Sequence, residues 1–194
     1  MKSEILLLVG AYLLGSVPTG LLLARSMGIN IRECGSGNIG ATNVYRTAGK
    51  KLGIMTLVGD CFKGLIPVLI AQGLGLLPIW VAAIGLAAFL GHVYTVFLRF
   101  KGGKGVATAL GVLLGTAPLA VLFGILVFAA VLYKWRYVSL ASITAAACIP
   151  LLALGTCAPR ETIVMAVTIA VIVILKHHEN ISRLRAGTES KFKA

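Results

Sequence analysis

Long runs of hydrocarbon, cut at intervals by short basic stretches, constrain this chain more than any other feature. An apolar run of roughly 20 residues is what a hydrocarbon core ~30 Å thick requires of a helix. Mean hydropathy is +0.96, with 58% hydrophobic and 12% charged residues, a balance foreign to soluble domains. The expectation is an all-α, polytopic integral membrane bundle forming a single domain over residues 1–194.

The first apolar run covers residues 5 to about 24 and is interrupted by Gly15, Ser16, Pro18 and Gly20. It begins with Lys2 but lacks a small-residue cleavage site after a short core, so it reads as a retained helix. A polar loop at 25–52 follows, then a second helix at about 53–73 containing Asp60 and Lys63, three residues apart on one face. Charges at that depth are expensive and call for a partner. Asp60 lies about 10 Å below the loop surface at ~1.5 Å per residue, which fits either a structural ion pair or support for a site above it. A third helix at 76–98 carries His92 near its end.

The stretch 106–133 is either one long tilted helix or two short passes bent at 115–118. Two passes place the loops at 25–52, 99–104 and 134–136 and the tail from Lys176 on one side. That side then holds 15 of the 18 Lys and Arg residues, as the positive-inside rule demands. The expectation is therefore seven transmembrane segments, the last two at 138–154 and 161–175, with the N-terminus outside and the C-terminus cytoplasmic. The first of the two passes is short enough to need bilayer thinning or a partly re-entrant path. In a soluble protein the net charge of +12 would suggest nucleic acid. Here the cations serve topology and contacts with anionic head groups or substrates, and no nucleic-acid partner is expected.

All the polar chemistry gathers on that one side. GSGNIGATNVYR, residues 35–46, is able to turn backbone N–H groups inward as an anion-binding nest, with Arg46 as a charged fork for phosphate oxygens. In RFKGGKG, residues 99–105, Gly102, Gly103 and Gly105 surround Lys104 where a helix would begin, a second phosphate cradle without Walker A spacing. Six acidic residues form no cluster, so no metal and no cofactor are expected, and Cys34, Cys61, Cys148 and Cys157 suggest neither a disulfide framework nor a metal site. No His-x4-Asp pattern or Ser-His-Asp triad is evident. What remains is transfer from an already activated donor, which needs positioning and charge stabilisation. The reading from another class is an anion or phosphate transporter, which would normally show repeats and a midplane site.

Five ordered motifs carry a family resemblance: SGNIGATNVYR (36–46), GDCFKG (59–64), GHVYTVFLRFKGGKGVAT (91–108), SLAS (139–142) and KHHENISRLRAGTE (176–189). Together they resemble the bacterial acyl-phosphate:glycerol-3-phosphate acyltransferases. Thr95 stands where that family usually has proline, and His178 where it usually has arginine. The resemblance implies a multi-pass enzyme of the inner membrane with its active site facing the cytoplasm. Its reaction would pass an acyl group from fatty acyl phosphate to the 1-hydroxyl of glycerol 3-phosphate, giving lysophosphatidic acid and inorganic phosphate. Ser36, Gly37, Asn38, Thr42, Asn43 and Arg46 would hold the acyl-phosphate head, and Lys104 with Gly102 and Gly103 would neutralise phosphate charge. His177 and Asn180 would orient glycerol 3-phosphate, with Ser142 as a weaker contact and Asp60, Lys63 and His92 in support.

Overall fold

The computed structural model describes residues 2–192, and every regular element among them is helical. The chain forms two compact units, Met1–Gly115 and Thr116–Ala194.

In the first unit the leading apolar run is split into α1 (Lys2–Ser16) and α2 (Thr19–Arg25). Proline has no N–H and its ring excludes the carbonyl one turn back, so Pro18 breaks the helix. The carbonyls freed there find partners elsewhere: Thr95 Oγ1 donates to Ser16 O at 2.6 Å and Lys63 Nζ to Val17 O at 2.7 Å. The loop after α2 contains a helix of its own, α3 (Ala41–Ala48), which Gly49 at φ 92° reverses into α4 (Lys50–Gly73). Then come α5 (Pro78–Val93), a single 3-10 turn (Val96–Leu98) and α6 (Val106–Thr116). The third segment is thus helical to Val93 rather than to 98, because the carbonyls of His92 and Val93 accept N–H groups from Gly103 and Gly102 instead of continuing the helix. Small residues bring the helices close: a side chain on Gly15 would overlap the Ala88 backbone, and one on Gly111 the Cys61 carbonyl. Leu21, Ala24, Ile31, Ile39 and Val44 form an apolar plug beneath the first loop.

The second unit contains α7 (Pro118–Trp135), α8 (Val138–Gly155), α9 (Arg160–Lys176) and α10 (His178–Arg185). Pro118 opens α7 at its first turn, where a missing N–H costs nothing, and this places the expected interruption of 106–133 at Ala117. Ala117, Ala120 and Ala153 pack α7 against α8. Helix α10 departs from α9 at 55°. Beyond it the tail doubles back, with Phe192 N donating to Arg136 O at 2.6 Å.

Five helical runs are long and apolar enough to span a bilayer, or six if α9 and α10 count as one bent span. Their outward faces are apolar, as Leu6, Leu126, Leu151 and Leu175 illustrate. Each of the seven expected segments has a helix, but α6 has 11 residues. It rises only about 16 Å at 1.5 Å per residue, roughly half a hydrocarbon core.

Candidate active site

The glycine-rich first loop is wound around Asn43. This side chain is 4% exposed, and its amide donates to Asn38 O at 2.9 Å, Cys34 O at 3.0 Å and Ile31 O at 3.3 Å. Its Oδ1 accepts the Ser36 N–H at 2.9 Å. Asn38 Oδ1 in turn accepts from Gly40 N at 2.8 Å, and Cys34 O from Gly37 N at 3.0 Å. Several N–H groups that a phosphate nest would use are therefore taken by the loop itself, and Asn43 serves it from inside. Gly35 and Gly37 lie at φ 60° and 67°, and a Cβ on Gly35 would overlap Asn43 Oδ1, so the winding needs glycine there. What faces outward is the Ser36 side chain, the start of α3 at Ala41 and Thr42, and exposed Arg46 on its last turn. The first N–H groups of a helix have no carbonyl one turn back to bond.

The second loop is held by its ends. Gly102 N donates to Val93 O at 3.2 Å and Gly103 N to His92 O at 3.1 Å, closing the 94–103 excursion onto the C-terminus of α5. Within it, Arg99 and Phe100 adopt φ of 51° and 61°, sparsely populated for residues with a side chain. Lys104 follows, half-buried, between Gly103 and Gly105, the latter at φ 83°. Arg32 joins the loops, its Nη2 donating to Lys101 O at 2.6 Å. Nothing in the spacing of Arg32 marks it for this role, since the bond spans 69 residues.

Beneath the second loop lie Asp60, Lys63 and His92, none more than 4% exposed. Lys63 Nζ stands 2.8 Å from Asp60 Oδ1, and His92 Nδ1 stands 3.7 Å from the same oxygen.

The second unit carries the remaining expected residues. His177, 3% exposed, sits at the α9–α10 bend with Nδ1 at 2.7 Å from Val173 O. A carbonyl only accepts, so Nδ1 carries the hydrogen and neutral His177 has its lone pair on Nε2. Asn180, on the first turn of α10, donates from Nδ2 to Glu189 Oε1 at 2.6 Å. The same oxygen accepts from Ser139 Oγ at 2.6 Å, while Oε2 accepts from Arg183 Nε at 2.7 Å. Burial pushes the Glu189 carboxyl pKa up, but the bonds from Ser139, Arg183 and Asn180 outweigh it and hold the group below the ordinary 4.5. Ser142 is buried one turn after Ser139 on α8, whereas His178 is exposed. Glu189 is the organiser that sequence reasoning missed as a site residue. Its only signal was its place at the end of the GTE motif.

Apolar helices of membrane-spanning length define a membrane protein, in which one unit carries two tethered loops bearing cations and glycines and the other an Asn180 side chain held on a buried carboxylate. A family model described as glycerol-3-phosphate acyltransferase matches residues 5–187. The glycerol-3-phosphate acyltransferase of Geotalea daltonii is 68% identical over 193 residues, with 100% of both chains covered. That of Aquifex aeolicus is 46% identical over 187 residues, covering 96% of this chain and 97% of the other. A crystal structure of PlsY (YgiH), an integral membrane glycerol 3-phosphate acyltransferase in its glycerol 3-phosphate form, superposes with a TM-score of 0.95 at 45% identity, covering 98% and 96% of the two chains. Its lysophosphatidic acid form gives 0.92. The chain belongs to the glycerol-3-phosphate acyltransferase family, and it is a multi-pass membrane protein.

Proposed function

We propose that the protein transfers the acyl group of a fatty acyl phosphate to the 1-hydroxyl of glycerol 3-phosphate at the cytoplasmic face of the inner membrane. The hydroxyl oxygen attacks the acyl carbonyl, the bond from that carbon to the phosphate oxygen breaks, and lysophosphatidic acid and inorganic phosphate leave. An acyl phosphate is a mixed anhydride with a good leaving group, so charge neutralisation matters more than a strong base. Ser36, Asn38, Thr42 and Arg46 receive the acyl-phosphate head on the shape that Asn43 and Gly37 maintain, and Lys104 neutralises phosphate charge from a loop whose Gly102 and Gly103 N–H groups, expected to face phosphate, are instead spent on α5 carbonyls. His177 and Asn180 orient glycerol 3-phosphate, with Ser142 beside them. The hydroxyl proton has two acceptors, His177 Nε2 and the departing phosphate.

The observation that carries this reading is the Arg32 bond tying the two cation-bearing loops together beside apolar helices. Such a pair suits substrates with two phosphate groups and a lipid chain. The charge distribution supports seven passes with the C-terminus in the cytoplasm, α6 crossing only in part. No metal or cofactor takes part in this scheme.

The test is inorganic phosphate release by the purified protein given palmitoyl phosphate and glycerol 3-phosphate, with a chelator present and each substrate omitted in turn. Release that needs both substrates and survives chelation supports the reading. Activity with acyl-CoA or acyl-carrier protein but not with acyl phosphate would sink the proposed donor.

A further inference from the structure

We infer that Asp60, Lys63 and His92 form a buried positioning triad that sets the backbone of the 102–105 loop and, through it, the placement of Lys104. The inference rests on the proposed role of that loop in holding phosphate. All three side chains are buried, Asp60 to 2% exposure and Lys63 and His92 to 4%. Lys63 neutralises Asp60 at 2.8 Å and is itself anchored by the Val17 carbonyl at 2.7 Å, in the break between α1 and α2. The His92 ring stands between this pair and the loop. Its Nδ1 lies 3.7 Å from Asp60 Oδ1, beyond direct hydrogen-bond reach but near enough for the carboxylate to act on the ring dipole. Its other nitrogen backs directly onto Gly103, where an added Cβ would overlap Nε2. The backbone of the same histidine accepts the Gly103 N–H at 3.1 Å. One residue therefore grips Gly103 by ring and by carbonyl, and Asp60 governs how the ring stands.

A plain ion pair for helix packing explains less. The triad lies on the α4–α5 seam, and packing alone would not need the His92 ring to back onto Gly103. Charges inside a membrane are retained at a cost, and apolar residues of similar volume would pack as well. What apolar residues lack is a charge that orients an imidazole.

The experiment is a double-mutant cycle on purified protein, read both as kcat and KM for glycerol 3-phosphate and as Tm. Gly103→Ala places a methyl against the His92 ring, whereas Gly102→Ala places one against the backbone carbonyls of His92 and Val93. Gly103→Ala is expected to lower kcat/KM roughly tenfold in the wild-type background and by less than about threefold once His92→Ala has removed the ring. Gly102→Ala should cost the same in both backgrounds. Equal losses for Gly103→Ala with and without the ring would overturn the inference. His92→Asn serves the same cycle if the alanine variant fails to fold. Asp60→Asn combined with Lys63→Met removes the pair without leaving a lone charge. A drop in kcat/KM is expected beside the fall in Tm that losing the Lys63 bond to Val17 O brings, and wild-type kinetics there would reduce the triad to packing. Lys104→Ala is measured beside these. Wild-type turnover in Lys104→Ala would refute the role proposed for that lysine, and coupling in Tm between His92 and Gly103 would then decide on its own whether the ring sets the loop.

Discussion

Replacing Glu189 by glutamine changes one oxygen into an NH2 group and nothing in volume, yet the surroundings leave that group nowhere to go. On one side of the carboxylate are two donors, Ser139 Oγ and Asn180 Nδ2, both at 2.6 Å, and on the other is Arg183 Nε at 2.7 Å. Turned toward Arg183, the new NH2 meets a group that only donates. Turned the other way, it meets a hydroxyl that rotates to accept and an amide that must flip to present its oxygen. The second arrangement costs less, and its cost falls on the orientation of Asn180. The Glu189 side chain is 5% exposed, so its bonds are little weakened by water, whereas Arg183 at 35% is solvated and counts for less. Bonds to a charged group are worth about 1.5–3 kcal/mol and neutral ones about 0.5–1.5. Losing the charge and reversing Asn180 should therefore cost about 2–3 kcal/mol in kcat/KM, roughly 30- to 150-fold. The assay is the initial rate of phosphate release against glycerol 3-phosphate concentration, with KM carrying most of the change. A kcat/KM within about threefold of wild type would refute the claim that Glu189 orients Asn180. The same substitution has a signature in acid. Because the folded-state pKa lies below the unfolded value of 4.5, the unfolded chain binds the proton more readily. The carboxylate's stabilisation is complete above about pH 4.5 and is lost as pH falls through the folded value. Acid unfolding of Glu189→Gln should lack that component.

Three further outcomes are expected. Arg46→Ala and Lys104→Ala should each lose about 100-fold or more in kcat/KM while remaining folded, because they remove charge aimed at phosphate. Arg32→Ala removes the bond to Lys101 O and should raise KM several-fold, about 1 kcal/mol, with kcat nearly unchanged, since Arg32 is exposed. Thr95→Val leaves the buried Ser16 carbonyl without its donor and should cost about 1–3 kcal/mol, read as a fall of several degrees in Tm with kinetics preserved.

The sequence reading located the helices well because its signal was strong. Apolar runs, Pro18, the interruption at 115–118 and the glycines of both loops each act locally, through φ, through a missing N–H or through hydrophobicity. Boundaries shifted where tertiary bonds competed: α5 stops at Val93 because Gly102 and Gly103 take its last carbonyls, and a helix at 41–48 forms inside what read as a plain loop. Among the expected site residues, Arg46 and Lys104 stand at the glycine-rich loops as read, Arg46 exposed and Lys104 half-buried. Asn43 was legible as a loop residue, but its inward turn depends on carbonyls 5 to 12 positions away. Arg32 was illegible as an organiser because its partner Lys101 lies 69 residues distant, whereas Glu189 has Asn180 and Arg183 only 9 and 6 residues away and was missed because the turn after α10 that folds it back onto them, and onto Ser139 at 50 residues, has no local periodic signal.

The break at Val17 and Pro18 also bears on how the chain enters the membrane. The Ser16 carbonyl is satisfied by Thr95, which emerges from the ribosome long after the first apolar run, whereas the Val17 carbonyl accepts the Thr19 N–H at 3.0 Å before Lys63 adds a second bond. In hydrocarbon each unsatisfied carbonyl costs several kcal/mol, so α1 and α2 cannot take their final bent shape alone. The nascent first segment must remain near the headgroups or straighten until the turn after α5 arrives. The kink is therefore a late step of assembly, and variants at Thr95 should leave nascent protein exposed to membrane proteases before they show in the kinetics of the finished protein.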